Sequence, residues 1–118
     1  MAVWEMHWPD KVHPYVRTTQ RQKFVDPRYK KYSNFKRSFR LWANTQGFPE
    51  DLDPEKTYSL VVNIHLKGKA TCDLDNQAKS IMDSAFPQDR RILNLTISAW
   101  EHSGRGDCAS VILREIIL

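Results

Sequence analysis

Hydrophobic and polar residues alternate along four stretches of the chain, and this alternation predicts β-strands. The most regular stretch runs from residue 57 to residue 66, where every second residue is a large hydrophobic one. Three less regular stretches predict further strands at residues 2–8, 90–100 and 108–118. The polar and glycine-rich residues 102–107 predict a hairpin loop between the last two strands.

Two other stretches repeat hydrophobic residues every three or four positions, which is typical of amphipathic helices. The first begins near Pro27 and continues to Gly47 and Pro49. The second begins at Asp73, a good N-cap residue, and ends before Pro87. The resulting β-α-β-α-β-β order predicts one α+β (mixed α/β) domain over residues 1–118, with a mixed sheet of about four strands and helices packed on it.

Composition narrows the class of protein. The chain has 118 residues, enough for one domain, and 41% of them are hydrophobic, too many for a disordered tail. The longest apolar runs are far shorter than a membrane span, and the first residues lack the pattern of a secretory signal, so we expect a cytoplasmic protein. In that reducing compartment Cys72 and Cys108 are expected as free thiols. No GxxxxGK[ST] or GxGxxG motif occurs, so we expect no nucleotide cofactor. Because the apolar runs are short, we expect no membrane partner either.

Positive charge is concentrated in the first half of the chain. Residues 1–50 carry a net charge of +6, from ten Lys and Arg against four Asp and Glu, although the whole chain carries +4. Basic residues that alternate with aromatic ones favour nucleic-acid binding, because cations neutralise phosphates and aromatic rings stack on bases. A solvated basic helix face is the alternative interpretation. The candidate DNA-binding residues are Arg17, Arg21, Lys23, Arg28, Lys30, Lys31, Lys36, Arg37, Arg40, Lys67 and Lys69. Tyr29 and Tyr32 are predicted to contact DNA as well.

Acidic residues surround the start of the second predicted helix. Asp73 and Asp75 could direct their carboxylates at one hard cation such as Mg²⁺, which takes oxygen ligands and substrate phosphates. A metal there would suit phosphodiester cleavage, with Lys79 one helical turn away to bind the phosphate. The alternative is structural: Asp73 is an ordinary N-cap, and Asp75, Lys79 and Asp83 form a ladder of i,i+4 ion pairs.

The string Asp73-Leu74-Asp75-Asn76, followed by Lys79 and Asp83 on an otherwise apolar helix, resembles the signature of the RusA family of Holliday-junction resolvases. Trp8-Pro9 at the end of the first strand is similar to the family's N-terminal segment. The resemblance implies a homodimeric, Mg²⁺-dependent endonuclease, commonly encoded by phages or prophages of bacteria, that cuts four-way DNA junctions symmetrically. Mn²⁺ is a possible substitute for Mg²⁺.

The same resemblance implies roles for individual residues. Asp73 and Asp75 would be metal-binding catalytic acids, Lys79 the catalytic lysine, and Asp89 the third metal-binding acid. The chain departs from the family at Gln88, where an acid usually precedes the residue equivalent to Asp89. Two other functions therefore stay open: a non-catalytic nucleic-acid-binding module with the same fold, and a nuclease for flaps, forks or structured RNA.

Overall fold

The computed structural model describes residues 2–16, 26–86, 89–104 and 106–116. They form four strands and two helices in the predicted β-α-β-α-β-β order. In chain order the elements are β1 (Val3–Trp8), α1 (Pro27–Thr45), β2 (Thr57–Lys67), α2 (Leu74–Ala85), β3 (Ile92–His102) and β4 (Cys108–Ile116). The α+β fold class predicted from the sequence is confirmed.

The four strands form one mixed sheet in the order β1-β4-β2-β3. β4 is antiparallel to both β1 and β2, whereas β2 and β3 are parallel. The predicted hairpin between β3 and β4 is wrong, because β2 lies between them. The parallel β2-α2-β3 crossover occupies one edge of β2, so β4 pairs along the other edge. At the end of β2, the backbone N–H of Lys67 donates to the Asp107 carboxylate over 2.7 Å.

Alternation along β2 places one set of side chains in the core. Leu60, Val62 and Ile64 are at most 1% exposed, whereas the residues between them are half-buried. β1 adds Met6 and Trp8 to the same core, as the sequence pattern predicts. This buried face is covered by the helices, and burial of such side chains is the main force that holds helices on a sheet.

Helix α1 begins after an N-cap residue and ends before a glycine. The Asp26 side chain accepts a hydrogen bond of 2.9 Å from the backbone N–H of Arg28, which is an N-cap. Gly47, with φ of 81°, ends the helix in the left-handed conformation that glycine adopts without strain. The buried side of α1 carries Phe35 and Phe39, whose rings pack on Trp8.

Helix α2 buries a side made mostly of small residues. Ser80, Ile81 and Ser84 are fully buried there, and small side chains let α1 approach closely. The loop after β1 is tied to this helix, because the Ser80 hydroxyl donates to the backbone carbonyl of His13. No helix within the described residues is long and apolar enough to cross a membrane.

Strand β3 is an edge of the sheet and is only partly covered. Leu95 pairs in register with the buried Leu60, yet it is 42% exposed, and Leu93 is 63% exposed. An edge strand leaves one row of backbone N–H and C=O groups without strand partners. β3 therefore presents an open apolar edge.

Candidate metal and nucleic-acid site

The acidic pair lies at the junction between β2 and α2. β2 ends at Lys67, Gly68 turns the chain with φ of 88°, and Asp73 occupies the N-cap position of α2. Asp75 follows in the first turn. Both residues are exposed, so both carboxylates face solvent at the positive end of the helix dipole.

Neither carboxylate of this pair has a structural task among the described residues. The side chain of Asp73 makes no capping hydrogen bond, although the residue sits at the N-cap position. Within the described ranges, no hydrogen bond or ion pair of Asp75 is found either. The ordinary N-cap interpretation of Asp73 therefore lacks the contact that would define it.

Lys79 follows Asp75 by one turn of α2 and is exposed. Its Nζ lies 6.0 Å from the centroid of the Tyr15 ring, within reach of a cation–π interaction. The ion pairs of the described residues do not include one between Lys79 and Asp75 or Asp83. The predicted ladder of ion pairs is not formed, and the ammonium group stays accessible beside the two acids.

Asp83 has a structural role instead. Its Oδ2 accepts a hydrogen bond from the Tyr32 hydroxyl and lies 3.0 Å from Nζ of Lys36. Burial raises the pKa of the Tyr32 hydroxyl, and the hydrogen bond to the Asp83 carboxylate raises it further. The prediction that Tyr32 contacts DNA is wrong, because its side chain is 4% exposed and faces α2.

Asp89, the predicted third acid, is exposed just before β3, and its backbone carbonyl accepts from the N–H of Ile92 over 3.0 Å. No three His, Cys, Asp or Glu side chains within the described ranges are close enough to share a metal ion. Among the described residues, Asp73, Asp75 and Asp89 are therefore not gathered into a three-acid centre. Two carboxylates still fit Mg²⁺, because this ion is commonly held by one or two carboxylates together with waters and substrate phosphates.

The predicted DNA-binding cations that the structure describes separate into two groups: those that bind within the protein and those that are exposed without an ion pair. Arg17, Arg21 and Lys23 lie outside the described residues. Three others bind within the protein: Arg28 to Asp26 at 2.9 Å, Lys36 to Asp83, and Arg40 Nε to the carbonyl of Ser84 at 3.2 Å. Five are exposed and form no ion pair among the described residues: Lys30, Lys31, Arg37, Lys67 and Lys69. These five exposed cations are the better source of phosphate contacts.

A pocket of about 340 Å³ lies beside the acidic pair, between the end of β2 and the start of α2. Three lysines line it: the predicted Lys67 and Lys69, and also Lys11 from the loop after β1. Gln77 and Cys72 line it too. Lys11, Gln77 and Cys72 were not predicted as site residues from the sequence. Gln77 could have been noticed, because it is a polar residue that interrupts the apolar side of α2.

No family model matches the chain, and no curated protein matches its sequence.

Proposed function

We propose that the protein is a Mg²⁺-dependent, structure-selective DNA endonuclease that resolves four-way junctions by paired phosphodiester cleavage, as its resemblance to the RusA family implies. The observation that carries the proposal is the exposed pair Asp73 and Asp75, which stands beside Lys79 without structural partners among the described residues. Unpaired carboxylates at the start of a helix, next to a basic pocket, suit an ion that bridges protein and phosphate.

Each residue of the site has a defined task in this proposal. Asp73 and Asp75 hold the ion, with Asp89 as the third acid if a rearrangement or a second copy brings it near. A bound Mg²⁺ or Mn²⁺ would polarise the scissile phosphate and acidify a water molecule. Lys79 binds a non-bridging oxygen of the same phosphate and so favours the extra negative charge that develops during attack.

Phosphate contacts by the exposed cations position the DNA. Lys67 and Lys69 line the pocket between β2 and α2, and Lys30, Lys31 and Arg37 are exposed on α1. Such contacts fix the register of the backbone without reading the sequence. We place the protein in the cytoplasm of a bacterial host, where branched DNA forms.

We further propose a homodimer, since a four-way junction has approximate two-fold symmetry and two equivalent sites would cut opposed strands. The open edge of β3 supports this assembly, because Leu93 and Leu95 are exposed on it. Light scattering at several protein concentrations measures the mass of the particle, and a monomer at every concentration would exclude the dimer.

The test incubates the purified protein with a labelled four-way junction, a flap, a fork, a structured RNA and a linear duplex, each with Mg²⁺, Mn²⁺ or EDTA. We expect paired, symmetric cuts in the junction with either metal and none with EDTA. Asp75→Asn should keep junction binding and lose cleavage, because it removes a charged ligand and preserves shape. Asp51→Asn is the matched control, since Asp51 is also exposed but lies in the loop between α1 and β2.

The second candidate function, a non-catalytic nucleic-acid-binding module, is favoured by one observation: the described residues do not gather three metal ligands. Junction binding without cleavage in both metals would establish that candidate and overturn the nuclease. Cleavage of flaps, forks or RNA in preference to junctions would keep the chemistry and change the substrate.

A further inference from the structure

The pocket beside α2 contains a buried polar group without a partner. Gln77 is 4% exposed, and its Oε1 has no hydrogen-bond partner among the described residues. Its Nε2 donates to Sγ of Cys72 over 2.8 Å, so the amide is held in place while its oxygen is left free. A buried acceptor without a donor costs stability, and native structures contain few of them.

The residues around Oε1 of Gln77 indicate which kind of ligand would donate a hydrogen bond to it. Pro14 and Leu66 provide apolar walls, and three lysines and one acid also line the pocket: Lys11, Lys67, Lys69 and Asp107. The Asp107 carboxylate accepts a hydrogen bond from the backbone N–H of Lys67, so the lining keeps an excess of positive charge. A flat ring with an N–H donor fits the walls and the amide, and an attached anion fits the lysines. The volume of about 340 Å³ is enough for a single nucleotide and too small for a duplex.

We propose that this pocket binds one unstacked nucleotide, with its base against Gln77 and its phosphate among the three lysines. The inference rests on the proposed function in one respect: a nuclease acting on branched DNA meets unpaired bases at the branch point, and the pocket lies beside its acidic pair. The Gln77 side chain is then a specificity-determining group, and Asp73 and Asp75 take no part in holding the base.

The free acceptor on Gln77 predicts a base preference. Adenine, cytosine and guanine carry an exocyclic amino group that can donate to Oε1. Thymine offers only a ring N–H between two carbonyl oxygens, which would lie close to the amide oxygen and repel it. We therefore expect the pocket to favour the three amino-bearing bases over thymine by roughly tenfold, the lower part of the range for one base contact.

Binding is measured in EDTA, so that no metal or cleavage is involved. The probes are dAMP, dCMP, dTMP and inorganic phosphate, and then short single strands of dA, dC or dT. The readout is the rate at which Cys72 reacts with a thiol reagent, because a ligand in the pocket would cover it. Cys108 is 8% exposed and lies in β4, so it serves as the internal control.

The key variant is Gln77→Met, which keeps the length of the side chain and removes the amide. We expect it to fold with an unchanged or higher melting temperature, because an unpaired buried group is lost. The preference for dAMP and dCMP over dTMP should disappear, and protection of Cys72 by dAMP should fall about tenfold. Gln46→Met is the matched control, since Gln46 is exposed at the end of α1.

The outcomes separate this inference from the proposed function. Selective protection of Cys72 that depends on Gln77 supports the pocket, even if no substrate is cut. Equal protection by phosphate and by every nucleotide would overturn it and indicate a simple anion site. Wild-type cleavage of junctions together with unchanged nucleotide binding in Gln77→Met would also overturn it, and the nuclease would stand.

Discussion

The Tyr32 hydroxyl on α1 donates a hydrogen bond to the Asp83 carboxylate on α2. Lys36 Nζ lies 3.0 Å from the same carboxylate oxygen, so two side chains of α1 bind one of α2. The Asp83 carboxylate is thereby occupied by contacts with α1, whereas Asp75 and Lys79 on the preceding turns of α2 stay accessible. The polar side of α2 thus contributes to helix packing at its end and leaves an accessible acid and lysine at its start.

This contact predicts a loss of stability at high pH. The pKa of Tyr32 is raised in the folded protein, whereas the unfolded chain has the ordinary tyrosine pKa of about 10. Above about pH 10 the unfolded state therefore loses a proton that the folded state keeps, so stability falls as the pH rises. Tyr32 contributes a slope of at most about 1.4 kcal/mol per pH unit to the free energy of unfolding. Its stabilising contribution is fully present below about pH 10.

Urea unfolding at about pH 9 and about pH 11 measures this slope. Tyr32→Phe should lower stability by about 1 to 2 kcal/mol at the lower pH and flatten the fall at the higher one. Tyr15→Phe is the control, because it removes the hydroxyl of a neighbouring ring and leaves the Tyr32–Asp83 hydrogen bond in place. Equal slopes for wild type and Tyr32→Phe would contradict the assignment.

A second prediction separates cations that bind DNA from cations that hold the helices together. Lys31→Ala and Lys69→Ala should each weaken junction binding and reduce the slope of log K against log salt by about 1 unit, since each removes one phosphate contact. Lys36→Ala should leave that slope nearly unchanged, because its ammonium binds Asp83.

Fluorescence anisotropy over a range of salt concentrations gives these slopes, and thermal unfolding gives the stability of each variant. We expect a lower melting temperature for Lys36→Ala alone. If Lys36→Ala changes the salt slope as much as Lys69→Ala does, the division between the two groups is incorrect.

A third prediction concerns Lys79. Lys79→Met should reduce the rate of junction cleavage by at least about 100-fold, as expected when a charged group that stabilises the transition state is lost. Folding stability should stay within about 0.5 kcal/mol, because the side chain is exposed. Single-turnover cleavage with saturating enzyme measures the chemical step without the binding step. A loss of affinity at full cleavage rate would assign Lys79 to binding alone.

A fourth prediction concerns the loop after β1. Ser80 is fully buried, and its hydroxyl donates to the carbonyl of His13. Ser80→Ala should cost about 1 to 3 kcal/mol, because that carbonyl would lose its donor. It should also weaken nucleotide binding in the pocket, since Lys11 and Pro14 belong to the same loop.

Urea unfolding and the Cys72 protection assay together test this link between loop and pocket. Ser38→Ala is the matched control, because Ser38 is exposed on α1. A destabilised Ser80→Ala with normal nucleotide protection would show that the pocket does not depend on the position of the loop.

The elements were predictable because their signals are local. Alternation in β2, Pro27 at the start of α1 and the helical spacing of apolar residues in α2 each depend on neighbours in the chain, and the structure confirms the elements that contain them. The pairing of β4 with β2 was not predictable, because it depends on a crossover that occupies the other edge of β2. Gln77 was missed for a similar reason: its significance comes from Cys72 and from the walls contributed by other elements.

The strand order has a consequence for how the chain folds as it is synthesised. β1 precedes the other described strands in the chain, yet its only strand partner within the described residues is β4, which follows all of them. β2 and β3 can pair earlier through α2, whereas β1 has no strand partner until β4 emerges, although Phe35 and Phe39 of α1 can already pack on Trp8. Most sheet contacts of β1 therefore span nearly the full length of the chain, a topology that folds slowly and favours the help of chaperones.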